Sequence, residues 1–451
     1  MQRTGIYLSM CILSMVLLSC NKKEEPITIS PDTLHGAIQK VTEVMTHDIF
    51  SPPVASRIFA YPNIAAYEIM AVNNKEYRSL VGLVNELTPV PRPDANKPIN
   101  FEMAALIAHM EISKTLIFSE DRIETYRDSL YGNWENKDLG LFTNSKEYGL
   151  QVAQHIKEWM NKDNYKQTRT MPKFTIDTKD PSRWQPTPPA YMDGLEPHWN
   201  KIRPFVMSSA DQFSPPPPPV FSTDPNSDFF KEAKEIYDIS KSITEKGDGS
   251  EEIAIAKFWD CNPYVSVTRG HLMFAVKKIS PGAHWMGIVE IACKKTQADF
   301  SKTLYAYTKT SMAIADAFIS CWDEKYRSNL IRPETIINRY IDENWMPILQ
   351  TPPFPEYPSG HSVVSGTAGV TLTSIFGENF AFSDNTEVPF GLPIRDFTSF
   401  NKAADEAAFS RMYGGIHYRS AVELGMKQGR SIGNFLVDKL KLKNDQIAVS
   451  N

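Results

Sequence analysis

Two histidines, three cations and a Ser-Gly turn gather in the stretch from Lys325 to His417. Lys325 and Arg332-Pro333 come first, Pro358-Ser359-Gly360-His361 follows, and five residues separate Ser410-Arg411 from His417. Ser359-Gly360 opens an apolar run, Ser362 to Phe376, rich in small residues and suited to a buried helix. Amides at a helix start are unpaired and lie at the positive end of its dipole, so they bind anions, and glycine lets the backbone come close. A Ser-Gly before a helix is ordinarily only a cap. Lys325, Arg332 and Arg411 add the charge and fork geometry that a tetrahedral dianion requires. His417 can then act as nucleophile or as direct ligand to the central atom, while His361 carries protons to or from an apical oxygen.

These segments need a rigid frame, and the periodicity of the chain predicts a helical one. Apolar residues recur at three- and four-residue spacing in Thr33–Ile49, Ser56–Val72, Phe101–Phe118, Ser119–Tyr131 and Ser145–Met160, and strand-like alternation is scarce. From about Arg169 to Asp228 the periodicity fades and proline accumulates, ending in Pro215–Pro219, which reads as an extended connection crossing the surface between two helical halves. Helical patterning returns at Phe229–Ser242, Glu251–Phe258, His284–Gln297 and Ala298–Trp322, and the last of these delivers Lys325 to its end. Thr351–Pro358 holds too many prolines for a helix. Gly377–Phe397 reads as a loop, Asn401–Tyr413 as a helix, Gly414-Gly415 as a turn and Ala421–Leu440 as the last helix. The expected division is 1–19 signal, 20–32 tether, 33–168 N-terminal helical bundle, 169–228 proline-rich connection, 229–440 C-terminal helical catalytic domain and 441–451 tail.

Length and charge narrow the function. The 451 residues, 42% hydrophobic, are enough for one large core or two ordinary ones, and a net charge of -5 gives no global field for a polyanion, so nucleic acid is not an expected partner. Arg3, the apolar run Ile6–Leu18, Leu17-Leu18-Ser19-Cys20 and the polar Asn21–Pro26 resemble a bacterial lipoprotein signal. That resemblance implies lipid on Cys20, an N-terminal anchor as the only membrane attachment and, since Asn21 is not aspartate, an outer-membrane address. Of the remaining cysteines, Cys261, Cys293 and Cys321 form no C-x-x-C pair, so both a disulfide between two of them and three buried thiols stay open. His47, His109, His155 and His198 have no partner at metal-ligand spacing and read as ordinary surface or core residues.

Lys-x6-Arg-Pro, Pro-Ser-Gly-His and Ser-Arg-x5-His, in this order, resemble the three motifs of the superfamily that joins type 2 phosphatidic acid phosphatases and vanadium-dependent haloperoxidases, over roughly Asp260 to Gly433. Trp322 three residues before Lys325, and the approach Pro352–Pro358, favour the haloperoxidase branch. The resemblance implies an all-α fold of two packed helical bundles with the oxyanion site in the C-terminal one. Lys325, Arg332, Ser359, Gly360 and Arg411 would hold the oxygens of vanadate, or of phosphate in the same site. His417 would bind the metal, His361 would be the acid–base residue, Asp260 its candidate partner, and Trp322 and Phe354 a halide pocket.

The implied reaction is oxidation of halide by hydrogen peroxide to hypohalous acid, with vanadate as a redox-inert Lewis acid. The same residues could instead run an acid phosphatase on a phosphate ester, with a phosphohistidine at His417, or remain in a non-catalytic anion-binding lipoprotein. One position departs from the pattern. Where the family usually has aspartate four residues after the last histidine, this chain has Ala421, so orientation of His417 falls to a backbone carbonyl or to Glu423.

Overall fold

The computed structural model describes residues 27–269, 272–275 and 277–444; the signal segment, Cys20 and residues 445–451 lie outside them. The described chain is overwhelmingly helical. The first bundle comprises α1 (Pro31–Asp48), α2 (Pro52–Asn73), α3 (Phe101–Lys114), α4 (Glu120–Lys137) and α5 (Leu139–Met160), followed by the single turn α6 (Tyr165–Thr168). The second comprises α7 (Asp228–Lys246), α8 (Glu251–Phe258), α9 (Pro281–Lys295), α10 (Phe300–Ser328), α11 (Pro333–Tyr340), α12 (Gly360–Phe376), α13 (Phe400–Tyr413) and α14 (Arg419–Lys439). Two antiparallel hairpins interrupt it: β1 (Ser266–Arg269) pairs with β2 (Leu272–Ala275), and β3 (Phe382–Asp384) with β4 (Arg395–Phe397). The second hairpin lies within Gly377–Phe397, which reads as loop in the sequence, because three-residue strands are too short to show a period.

Helix starts follow local chemistry. Ser280 and Asp299 each accept an amide hydrogen bond at the N-terminus of the helix they precede, and proline occupies the first turn of α1, α2, α9 and α11, where no amide partner is lost. The 29-residue α10 is the spine of the molecule: it is buried almost continuously from Phe300 to Lys325 and packs against α2 of the first bundle and against α9, α12 and α14 of the second. One hydrophobic core therefore runs through both bundles.

The proline-rich connection is not merely a crossing over the surface. Trp184 and Trp199 are buried, the amides of Phe205, Val206 and Met207 converge on the buried carboxyl of Asp316 in α10, and the Leu195 carbonyl accepts from Trp322 and Tyr326. These apolar anchors sit at irregular intervals, and so gave no periodic signal.

The most intimate packing lies beneath the anion turn. A Cβ at Gly429 of α14 would stand 2.1 Å from the Val363 carbonyl of α12, so only glycine permits this approach. That contact holds the start of α12 against α14.

Candidate active site

Trp322 and Lys325 lie one turn apart near the end of α10, so both side chains reach the same face. The Lys325 ammonium donates to the carbonyls of Pro355, Glu356 and Pro358 at 3.1, 3.0 and 2.6 Å. A proline run has few amides to satisfy its carbonyls, and a buried ammonium has three donors to place, so each solves the other's problem. Lys325 thereby clamps the approach that delivers Ser359. Ser359 caps α12, its hydroxyl accepting from the Ser362 amide at 3.3 Å, while its own amide donates to the Ala421 carbonyl at 3.1 Å.

Arg332, buried at the start of α11, donates through Nε to the Phe354 carbonyl at 3.0 Å and through Nη1 to the Ile416 carbonyl at 2.9 Å and His417 Nε2 at 3.1 Å. Arg411, in the last turn of α13, donates to the Trp259 carbonyl at 2.8 Å. The glycine turn after α13, with Gly415 at φ 77°, then swings His417 back toward Arg332.

His417 is oriented by Glu356, a residue that type and spacing alone do not single out. Its Nδ1 lies 2.8 Å from Glu356 Oε1, and the same oxygen accepts the Tyr418 amide at 2.9 Å. With an acceptor at Nδ1 and the Arg332 donor at Nε2, the ring is the Nδ1–H tautomer and its lone pair is on Nε2, where it accepts from Arg332. Glu423 does not orient the ring; it faces solvent and pairs with Arg419 at 3.3 Å, one turn away on its own helix. The signal that could have found Glu356 is a single carboxyl embedded in a proline run otherwise devoid of charge.

Asp260 does not pair with His361. Its carboxyl binds Lys278 at 2.5 Å and stands 3.9 Å from Arg411, so it is drawn between two cations while His361 takes a backbone hydrogen bond at Trp259. Trp322 and Phe354 do meet, with ring centroids 5.0 Å apart, and they line one narrow pocket with Tyr264, His361, Arg411 and His417.

The electrostatics are those of a site built around an anion. Lys325, Arg332 and Arg411 are essentially inaccessible, and burial draws Lys325 down to about 7 and Arg332 down to about 10, despite the counteracting Glu356. Burial also lowers Arg411 and raises Glu356 to about 8. His361 and His417 are held well below the ordinary imidazole range, by burial first and then by Arg411 and Arg332 respectively.

Several buried polar atoms of this site make no hydrogen bond, among them Arg332 Nη2, Arg411 Nε and His361 Nε2. Unmatched buried donors are costly unless a ligand completes them. At Gly360 a Cβ would meet nothing closer than 3.6 Å, so no neighbour demands glycine there; its missing side chain leaves space in the cradle instead.

Comparison with known proteins agrees with this geometry. Residues 305–445 match the model of the VCPO second helical-bundle domain. A solved structure described as the first bacterial vanadium-dependent iodoperoxidase shares 68% identity, with a TM-score of 0.91, over 94% of this chain and 100% of its own. The chain belongs to the vanadium-dependent haloperoxidases. Holo and apo structures of a bacterial vanadium-dependent chloroperoxidase share the fold, at 17% and 16% identity and TM-scores of 0.63 and 0.65, over 87% and 88% of this chain and 93% and 96% of theirs. No functionally curated protein matches. Membership in this family makes the chain an oxidoreductase with vanadate as its cofactor. The donors fit that group: buried cations, unmatched guanidinium nitrogens, an open helix start and a histidine lone pair converge on one space.

Proposed function

We propose that the chain oxidises iodide with hydrogen peroxide, using vanadate held by Lys325, Arg332, Ser359, Gly360 and Arg411 and bound through His417 Nε2. The observation that carries this reading is that two buried guanidinium nitrogens without a partner, Arg332 Nη2 and Arg411 Nε, belong to the two arginines whose side chains gather with His417 around one site. Vanadate supplies Lewis-acid activation of peroxide without a change of oxidation state.

The protein's own residues do the rest. Glu356 fixes the His417 tautomer, and Lys325 becomes fully charged when an anion arrives. His361, whose Nε2 has no partner and whose low proton affinity keeps it neutral, accepts and returns the peroxide proton. Trp322, Phe354, Phe318 and Tyr264 give the pocket an aromatic wall. Stripping water from iodide costs less than from the smaller halides, so such a wall favours iodide.

The test supplies apoprotein with vanadate, peroxide and iodide, bromide or chloride in parallel, and a phosphate monoester without vanadate. The expected order is iodide above bromide above chloride with negligible ester hydrolysis. Preference for chloride, or ester hydrolysis as the main activity, would overturn the reading.

We further propose that the protein is exported and anchored by lipid on Cys20, on the strength of Leu17-Leu18-Ser19-Cys20 and the polar stretch after it. Among the described residues no helix is long and apolar enough to cross a membrane. Metabolic labelling with a fatty acid should mark the protein and fail in Cys20→Ala.

A further inference from the structure

At the wall of the pocket, which Cys261 itself helps to line, three potential ligand atoms converge that the oxyanion chemistry does not use. Cys261 Sγ lies 3.4 Å from His284 Nδ1 and 3.9 Å from Glu387 Oε1, and that oxygen is 3.2 Å from the same nitrogen. All three residues are buried, and His284 has no exposed surface. Its other nitrogen, Nε2, faces Asp384 Oδ2 at 2.9 Å and Thr386 Oγ1 at 2.8 Å. Asp384 is fixed in turn, its second oxygen accepting from the Thr386 amide at 3.0 Å and hydroxyl at 2.7 Å. The His284 ring stacks on Trp259, with centroids 4.4 Å apart and planes 17° from parallel.

Sulfur, imidazole nitrogen and carboxyl oxygen are all electron-pair donors, and here they surround one point within an aromatic shell. A tetrahedral centre with metal–sulfur bonds of about 2.3 Å and metal–nitrogen or –oxygen bonds of about 2.0–2.1 Å sets ligand-to-ligand edges of roughly 3.3–3.6 Å. The observed separations of 3.4, 3.2 and 3.9 Å bracket those edges. An imidazole that donates from one nitrogen to a carboxylate presents the lone pair of the other to a metal, and Asp384 provides that arrangement.

We propose that Cys261, His284 and Glu387 bind one thiophilic divalent cation of the zinc class, with Asp384 and Thr386 orienting the histidine. Binding takes the Cys261 sulfur as thiolate and His284 with Nδ1 unprotonated, and the two displaced protons go to solvent. The three ligands come from separate parts of the chain: the strap after α8, the first turn of α9 and the segment after β3. The strap also carries the Trp259 carbonyl that receives Arg411, and Asp260, which faces the same guanidinium. The cation thus braces one side of the oxyanion cradle from behind. The competing arrangement is a metal-free imidazolium held between Asp384 and Glu387, which the same contacts could satisfy.

Elemental analysis of the purified full chain, vanadate-free and incubated with zinc before dialysis, decides between them. The expected result is about one zinc per chain, whether or not vanadate is added afterwards. Replacement by cobalt(II) should give a sulfur-to-cobalt charge-transfer absorption in the near ultraviolet that Cys261→Ser lacks. Less than about a tenth of an equivalent in the wild-type protein, after zinc or cobalt, would overturn the proposal, as would an unchanged absorption in Cys261→Ser. The wild-type stoichiometry stands even if the variant does not fold.

Discussion

Glu356 Oε1 lies 2.8 Å from His417 Nδ1 and binds the Tyr418 amide as well, so one buried carboxyl sets both the ring and the backbone that follows it. It takes the place of the aspartate expected four residues after the histidine, where this chain has Ala421. The ring is thus oriented from the proline approach instead of from the next turn of α14.

Removing that carboxyl should weaken vanadate binding. Glu356→Ala is expected to lower vanadate affinity and turnover by about 10- to 100-fold, the usual effect of losing a residue that orients a metal-binding histidine. Glu356→Gln, whose amide oxygen can still accept from Nδ1, should lose less. Glu423→Gln should leave affinity unchanged, since Glu423 pairs only at the surface. Equilibrium titration of the apoprotein with vanadate checks all three.

Oxyanion affinity should fall with rising pH from neutrality. Lys325 sits at about 7 and Glu356 at about 8 without an anion, and a bound dianion favours the protonated form of each. Below about 7 both are already protonated, so affinity is flat; above it, binding must take up a proton and affinity drops by up to about tenfold per pH unit, more steeply past about 8. Calorimetric titration with tungstate, whose charge is constant in this range, should show proton uptake above neutrality and none well below it. Affinity that rises with pH would refute this account of the cradle.

His361→Ala should separate proton transfer from cofactor binding. Its Nε2 has no protein partner to hold the cradle together, so vanadate affinity should change by less than about tenfold while turnover falls by about 10²- to 10⁴-fold, the range for a lost general acid–base residue. Parallel vanadate titration and steady-state rates, with the pH profile of kcat/KM, provide the check.

Much of this site is readable from sequence because its parts obey local rules. Three cations, a Ser-Gly helix start and a final histidine are defined by residue type and short spacing, and the helices that carry them have a strong period. Glu356 escaped because its importance depends on a contact with a residue 61 positions away. Asp260 reads as a partner of His361 because sequence shows neither Lys278 nor Arg411 beside it, and in the structure it faces those two cations instead. The cluster of Cys261, His284 and Glu387 shares no spacing at all; only the packing of the strap, α9 and the β3–β4 region brings it together.

The glycine contact under the anion turn predicts a stability effect. Gly429→Ala must move the Val363 carbonyl or separate α12 from α14, and overpacking of this kind typically costs about 1–3 kcal/mol. Chemical denaturation should show that loss, accompanied by weaker vanadate binding because Ser359 and Gly360 begin α12.

The most direct test of the central claim is the rate of iodide oxidation by hydrogen peroxide as apoprotein is titrated with vanadate, in the wild type and in Lys325→Ala. Activity in the wild type should be absent without vanadate and rise to saturation with it, and the variant should fall by about 10²- to 10³-fold, as for loss of a preorganised charge at a reacting group. Iodide oxidation that proceeds equally without vanadate, or that survives intact in Lys325→Ala, would contradict the account.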